Sequence, residues 1–160
     1  MAGEMTRVCA YLYRLAAGLM LGAQVYFAAV AAPAAFSREV AALPAGSPAR
    51  TAAANLVGAQ LASLDRMTLL FCAIAALAAI ALARMGIASA RAAAVPVLLT
   101  GLCALASSEW VTPRIHALRA AARAQLPEFG RLHAVSTALV GAEIVLLLIA
   151  LWVDPAPAKG

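Results

Sequence analysis

Leu132–Val153, LHAVSTALVGAEIVLLLIALWV, decides the fold: 22 residues with one charged side chain, Glu143. At 1.5 Å per residue, such a helix crosses the roughly 30 Å hydrocarbon core of a bilayer. It is apolar on all sides, whereas a surface helix of a soluble protein keeps a polar face. Three further stretches behave alike. Leu15–Ser37 is uncharged for 23 residues, and Met67–Ala83 and Ala92–Ser108 for 17 each. The shorter two reach full thickness by borrowing flanking residues such as Leu64, Glu109 and Trp110, or by thinning the bilayer locally.

The composition agrees. Of 160 residues, 65% are apolar and 12% charged. Soluble domains lie nearer 45–50% and about 25%. A soluble globule, a disordered tail, a disulfide scaffold and a collagen-like chain are all excluded. The chain reads as a single all-α integral membrane domain over 1–160, with four transmembrane helices in a bundle. The spans fall at about 15–36, 64–83, 92–111 and 132–153. The first has Arg7 and Arg14 before it and small residues at Ala32–Ala35, as a signal peptide would. Its apolar stretch is longer than a signal's and three spans follow, so it is read as retained.

The connections are unequal. Loops of 30 and 23 residues, 37–66 and 109–131, share one face; the eight-residue loop 84–91 and both tails share the other. We call these the heavy and light faces. Tyr11, Tyr13 and Trp152 sit as aromatic anchors on the light face, and Trp110 on the heavy face. The light face carries Arg7, Arg14, Arg84, Arg91 and Lys159. The heavy face carries Arg38, Arg50, Arg66, Arg114, Arg119, Arg123 and Arg131, which leans it toward the cytoplasm of a bacterial inner membrane. The net charge of +5 is assigned to lipid head groups, with no nucleic-acid partner. A homo-oligomer or a membrane partner is left open.

Both long loops read as helical. Ser47-Pro48 is a cap followed by proline at the first helical position, opening a helix over about 48–63 that continues into the second span. Thr112-Pro113 offers a second such start, for a helix over about 113–126. Pro127 and Gly130 are expected to separate it from the fourth span.

Glu143 is the most informative residue. An ionised carboxylate at mid-span must face the bundle interior, a water pocket, or hold a proton. It reads either as a proton relay or cation site, or as a neutral acid that fixes packing, with Gln24, Thr100 or Ser107 as partner. Asp65, Arg66, Glu109, Arg114, His116, Arg119, Arg131, His133 and Ser136 lie where helix ends and loops meet the heavy face, and read either as interfacial ion pairs, each worth little, or as a cluster that converges there. His116 and His133 are weak metal or haem ligands. Met20, Met67 and the thiols Cys9, Cys72 and Cys103 read as core; their spacing fits no disulfide framework. Gly18 and Gly22 form a GxxxG pair expected to seat another helix of the same chain. Pro33 is expected to kink the end of the first span. No nucleotide, hydrolase or metalloprotease fingerprint is present, so no catalytic residue and no cofactor is assigned.

Three strings carry a resemblance: Gly22-Ala23-Gln24-Val25-Tyr26-Phe27 with Ala32-Pro33-Ala34-Ala35-Phe36; Thr112-Pro113-Arg114-Ile115-His116-Ala117-Leu118-Arg119; and Phe129-Gly130-Arg131-Leu132-His133-Ala134-Val135-Ser136. Over about residues 10–153 the chain resembles the transmembrane protein 205-like family, whose bacterial members are filed as domain of unknown function 4149. The resemblance implies a four-helix membrane protein with a motif-bearing third loop. A eukaryotic relative is associated with platinum-drug resistance, which implies export or trafficking of soft-metal compounds. The family's fourth helix usually carries Asn where Val140 stands here, and Glu143, one turn below, would substitute. The architecture is also similar to copper-resistance membrane domains and haem-pathway oxidases, without transferring a mechanism. Three functions follow as expectations: transport of, or resistance to, a small solute or soft metal; a structural or assembly role in the membrane; and a haem- or metal-dependent membrane enzyme.

Overall fold

In the computed structural model, residues 2–44, 46–121 and 126–155 are described. Four long helical rods make an antiparallel bundle. The first comprises α1 (Ala2–Tyr26), a π-helical turn at Phe27–Ala31 and α2 (Ala32–Ala35). A short α3 (Arg38–Ala42) leads to the second rod, α4 (Pro48–Arg84). The third joins α5 (Ser89–Ala106), a π turn at Ser107–Val111 and α6 (Thr112–Ala120); the fourth is α7 (Pro127–Val153). All four are long and apolar enough to cross a membrane. In the ring, α1 packs on α4 and α7, and α5 packs on the same two.

The interior is built largely from alanine. Ala16, Ala75, Ala79, Ala93 and Ala150 sit in one buried cluster with Tyr13, Met20, Val97 and Leu147. Lipid tails are as apolar as leucine, so helices associate in a bilayer through close packing, and small residues permit it. The large aliphatics point outward instead: Leu77, Leu98, Leu102 and Val145 are all exposed. The glycine pair does not do what its spacing suggests. A Cβ built on Gly18 or Gly22 meets nothing within 4 Å, so this stripe seats no helix of the chain. The packing face of α1 is Tyr13, Ala16, Ala17, Met20 and Gln24.

The helix ends follow local rules where the expectation used them. Ser47 Oγ accepts from Arg50 N at 3.4 Å, capping α4. That helix then runs unbroken for 37 residues, about 55 Å at 1.5 Å each. At its far end Gly86 takes φ +87°, Gly86 N donates to Ala83 O and Ile87 N to Leu82 O, both at 3.1 Å. This is a Schellman stop, with Ile87 packed beside Leu82.

The helix start expected at Thr112-Pro113 is absent. Thr112 caps nothing, because α5 passes through the π turn into α6 without a break. Pro33 and Pro113 each lie two residues beyond a π turn. In each turn an amide bonds five residues back, Ala32 N to Phe27 O and Thr112 N to Ser107 O. Proline lacks the N–H of the regular ladder and its ring crowds the carbonyl four residues earlier; a wider turn is one way a helix absorbs both. Gly130 likewise fails to separate the last helix, which begins at Pro127, ahead of the expected residue 132. Of the helix expected over 113–126, residues 122–125 lie outside the described residues. Tyr13 is no interfacial anchor: it is fully buried.

Candidate functional site

The site has two storeys at the heavy-face end of the bundle. The lower is a buried polar cluster. Gln24 on α1, Asp65 and Thr68 on α4, Ser107 in the second π turn and Glu143 on α7 are each at most 1% exposed. Gln24 Nε2 donates to Thr68 Oγ1 at 3.2 Å and to Glu143 Oε2. Ser107 Oγ donates to Asp65 Oδ2 at 2.8 Å. Thr68 lies one helical turn from Asp65 on the same face of α4, so the two hydrogen-bonded groups lie side by side. Gln24 Oε1, Asp65 Oδ1 and Glu143 Oε1 are buried without a hydrogen-bond partner among the described residues. Every one of these is an acceptor. A buried acceptor without a donor costs about 1–3 kcal/mol, and an unpaired ionised carboxylate more. No arginine or lysine among the described residues is buried to answer them. Two carboxyl groups buried together without a basic side chain favour a protonated acid or a bound cation over two bare anions. Its donors are all oxygen, which suits a proton or a hard cation and not a soft metal.

The upper storey is a cavity of about 940 Å³ open to the heavy face. Its walls come from the end of the first rod (Phe27, Ala32, Phe36), the start of α4 (Arg50 to Leu61), α6 (Thr112 to Arg119) and the start of α7 (Phe129 to Val140). Its lining residues lead down to the cluster on every rod. Phe27 is three positions from Gln24, Leu61 four from Asp65, Thr112 five from Ser107 across the π turn, and Val140 three from Glu143. The floor therefore stands about one helical turn, roughly 5 Å, above the buried oxygens.

The cavity's basic groups are held in place. Arg119 Nη1 donates to Ala54 O at 3.0 Å, and its guanidinium lies 5.5 Å from the centre of the Phe129 ring. Phe129 in turn stacks on His133 at 6.3 Å with 5° between planes. Arg50 Nη1 donates to Leu43 O at 2.9 Å. His116 lies against Gly58, where an added Cβ would come within 3.0 Å of its Cε1, so glycine there is what admits the ring.

The expected heavy-face cluster divides. His116, Arg119, His133 and Ser136 line the cavity. Asp65 leaves that group for the buried storey, while its neighbour Arg66 is exposed, because successive residues on a helix point about 100° apart. Glu109, Arg114 and Arg131 are exposed and outside the lining. Among the three partners considered for Glu143, Gln24 holds it; Ser107 serves Asp65, and Thr100 Oγ1 donates to Pro96 O at 2.9 Å. Sequence reasoning passed over Arg50, Thr68 and Thr112. Thr68 is one turn from Asp65, a spacing that would have flagged it. The sulfurs form a pair of their own, Cys72 Sγ to Met20 Sδ at 3.6 Å, one turn beyond the polar cluster; Met67 is exposed. All three cysteines are free. Among the described residues no three His, Cys, Asp or Glu side chains gather as a metal site.

A family model described as "Domain of unknown function (DUF4149)" matches residues 15–124. No curated protein and no solved structure matches the chain.

Proposed function

The chain belongs to the DUF4149 family, and from that premise we propose that it is a small-solute carrier of the membrane in which the heavy-face cavity receives the solute and Glu143 carries a proton. The observation behind this reading is the stacking of the two storeys: an open cavity whose floor, on all four rods, lies one turn above buried oxygens that lack donors. Two carboxyl groups buried together favour one of them holding a proton, and the cavity above gives a solute access to that end of the bundle. Four helices give a narrow path, so the reading includes self-association or a membrane partner. It sets the heavy face in the cytoplasm, on the arginine count, and the chain in a bacterial inner membrane.

Soft-metal handling is the weaker form of the reading. Its support is the buried sulfur pair, two donors where copper(I)-type sites usually gather more. The test is complementation. Cells lacking this chain, grown across a panel of organic acids and soft-metal salts at pH 5.5–8, are supplied with the wild type or Glu143→Gln. Gln keeps the shape and an oxygen to accept the hydrogen bond but has no acid group to take up and release a proton. Wild type restores growth on at least one compound, and Glu143→Gln, present in the membrane at equal amount, does not. Full rescue by Glu143→Gln on every compound removes the proton role and leaves an assembly factor as the better account.

A further inference from the structure

The cavity has a sign. Among the described residues, every lining side chain able to carry charge is basic or imidazole: Arg50, His116, Arg119 and His133. No Asp or Glu joins them, although Asp65 and Glu143 sit one turn below the floor. Near the floor the walls turn apolar, with Phe27, Leu61 and Val140. Thr112 Oγ1, more than nine-tenths buried on the same wall, is without a hydrogen-bond partner. That hydroxyl has a proton to give and nothing to receive it.

We propose that this cavity binds an amphipathic anion, its carboxylate or phosphate head among Arg50, Arg119 and the two histidines and its apolar body on the Phe27–Val140 floor. Arg119 spends one N–H on Ala54 O and is flanked by the Phe129–His133 stack, which fixes the guanidinium and leaves further donors for an oxyanion. Arg50 Nη1 donates to Leu43 O through a single exposed hydrogen bond, which leaves its other donors for an oxyanion. A volume of about 940 Å³ lies near the upper end of the usual range for small-molecule sites, so the cavity admits an acid with a chain of eight to twelve carbons, or the head and upper chains of a lipid. The inference rests on the carrier reading in taking the cavity as the solute's way in. Under that reading an anion accompanied by the proton of Glu143 crosses without net charge.

The experiment uses the full chain in nanodiscs of neutral phosphatidylcholine and follows the thermal midpoint against decanoate and its uncharged counterpart decanol. Decanoate raises the midpoint at concentrations at least tenfold below those at which decanol does. Arg50→Gln weakens the decanoate response about tenfold while Arg50→Lys retains most of it. A parallel arm dopes the discs with phosphatidylglycerol and counts retained lipid by native mass spectrometry. Retention that decanoate displaces identifies a free organic acid competing for the site; retention that decanoate leaves intact identifies the lipid head group as the anion, and both uphold the proposal. Equal responses to decanoate and decanol with no retained anionic lipid, or a decanoate response unchanged in Arg50→Gln, overturns it. Because no transport is measured, anion binding alongside full rescue by Glu143→Gln sinks the carrier reading alone.

Discussion

The two ends of the bundle are finished differently. At the light-face end Tyr13 lies fully buried, and its single hydroxyl proton is shared between Ala93 O at 3.0 Å and Ala150 O at 3.1 Å, tying three rods together. Around it Leu82, Ala90 and Ala93 have no exposed surface, and the Schellman turn closes the link between α4 and α5. At the heavy-face end the same rods separate around a cavity whose histidines are exposed. The buried carboxylates lie between, near the open end. One end is closed by alanine packing, and the other opens a basic cavity toward the heavy face.

Substitutions at the two ends should separate by size of effect, each read as the unfolding midpoint in mild detergent. The largest belongs to Tyr13→Ala, which removes a fully buried ring and both of its bonds; about 3–5 kcal/mol is expected, as for other buried aromatic truncations. Should it cost no more than a surface change, the light-face end is not the closed one. Glu143→Ala comes next at about 2–4 kcal/mol, since it removes one of the two bonds of Gln24 Nε2 and leaves a hole, while Glu143→Gln stays within about 1 kcal/mol. Tyr13→Phe keeps the ring and loses the hydroxyl bonds, for about 1–2 kcal/mol. The smallest pair tests the comparison from both sides. Arg14→Ala breaks an exposed ion pair with Asp154 at 2.9 Å, worth at most about 1 kcal/mol and less in high salt. His133→Ala at the open end stays within about 0.5 kcal/mol, so a large loss there would mean that the cavity wall is structural and not a binding surface.

Much of the local design was legible. Ser47-Pro48 announces the start of α4 because a cap and a proline act within one turn. Glu143 stood out because a charge inside an apolar run admits few explanations. Gln24 was among its named partners, but choosing it over Thr100 and Ser107 required knowing which rods are neighbours. The pairing of Asp65 with Arg66 as interfacial residues failed for a geometric reason: adjacent on the chain, they point to different environments. Gly18 and Gly22 failed similarly. Their spacing states that they share a face and is silent about which face the bundle buries. Thr112-Pro113 read as a new start because proline normally ends a helix, and only the continuous rod shows a π turn absorbing it.

The sequence by itself determined that this is a four-span, all-helical membrane protein with unequal faces, since hydrocarbon thickness and the charge tolerance of lipid act on each segment separately. The tertiary structure alone decided the two-storey site. Cavity walls, the burial of Asp65 beside Ser107, and the gathering of Arg50, His116, Arg119 and His133 depend on the rotation and neighbour order of four rods. Those are set by packing among residues far apart in the chain, mostly alanines whose individual positions carry almost no signal until all four rods are assembled.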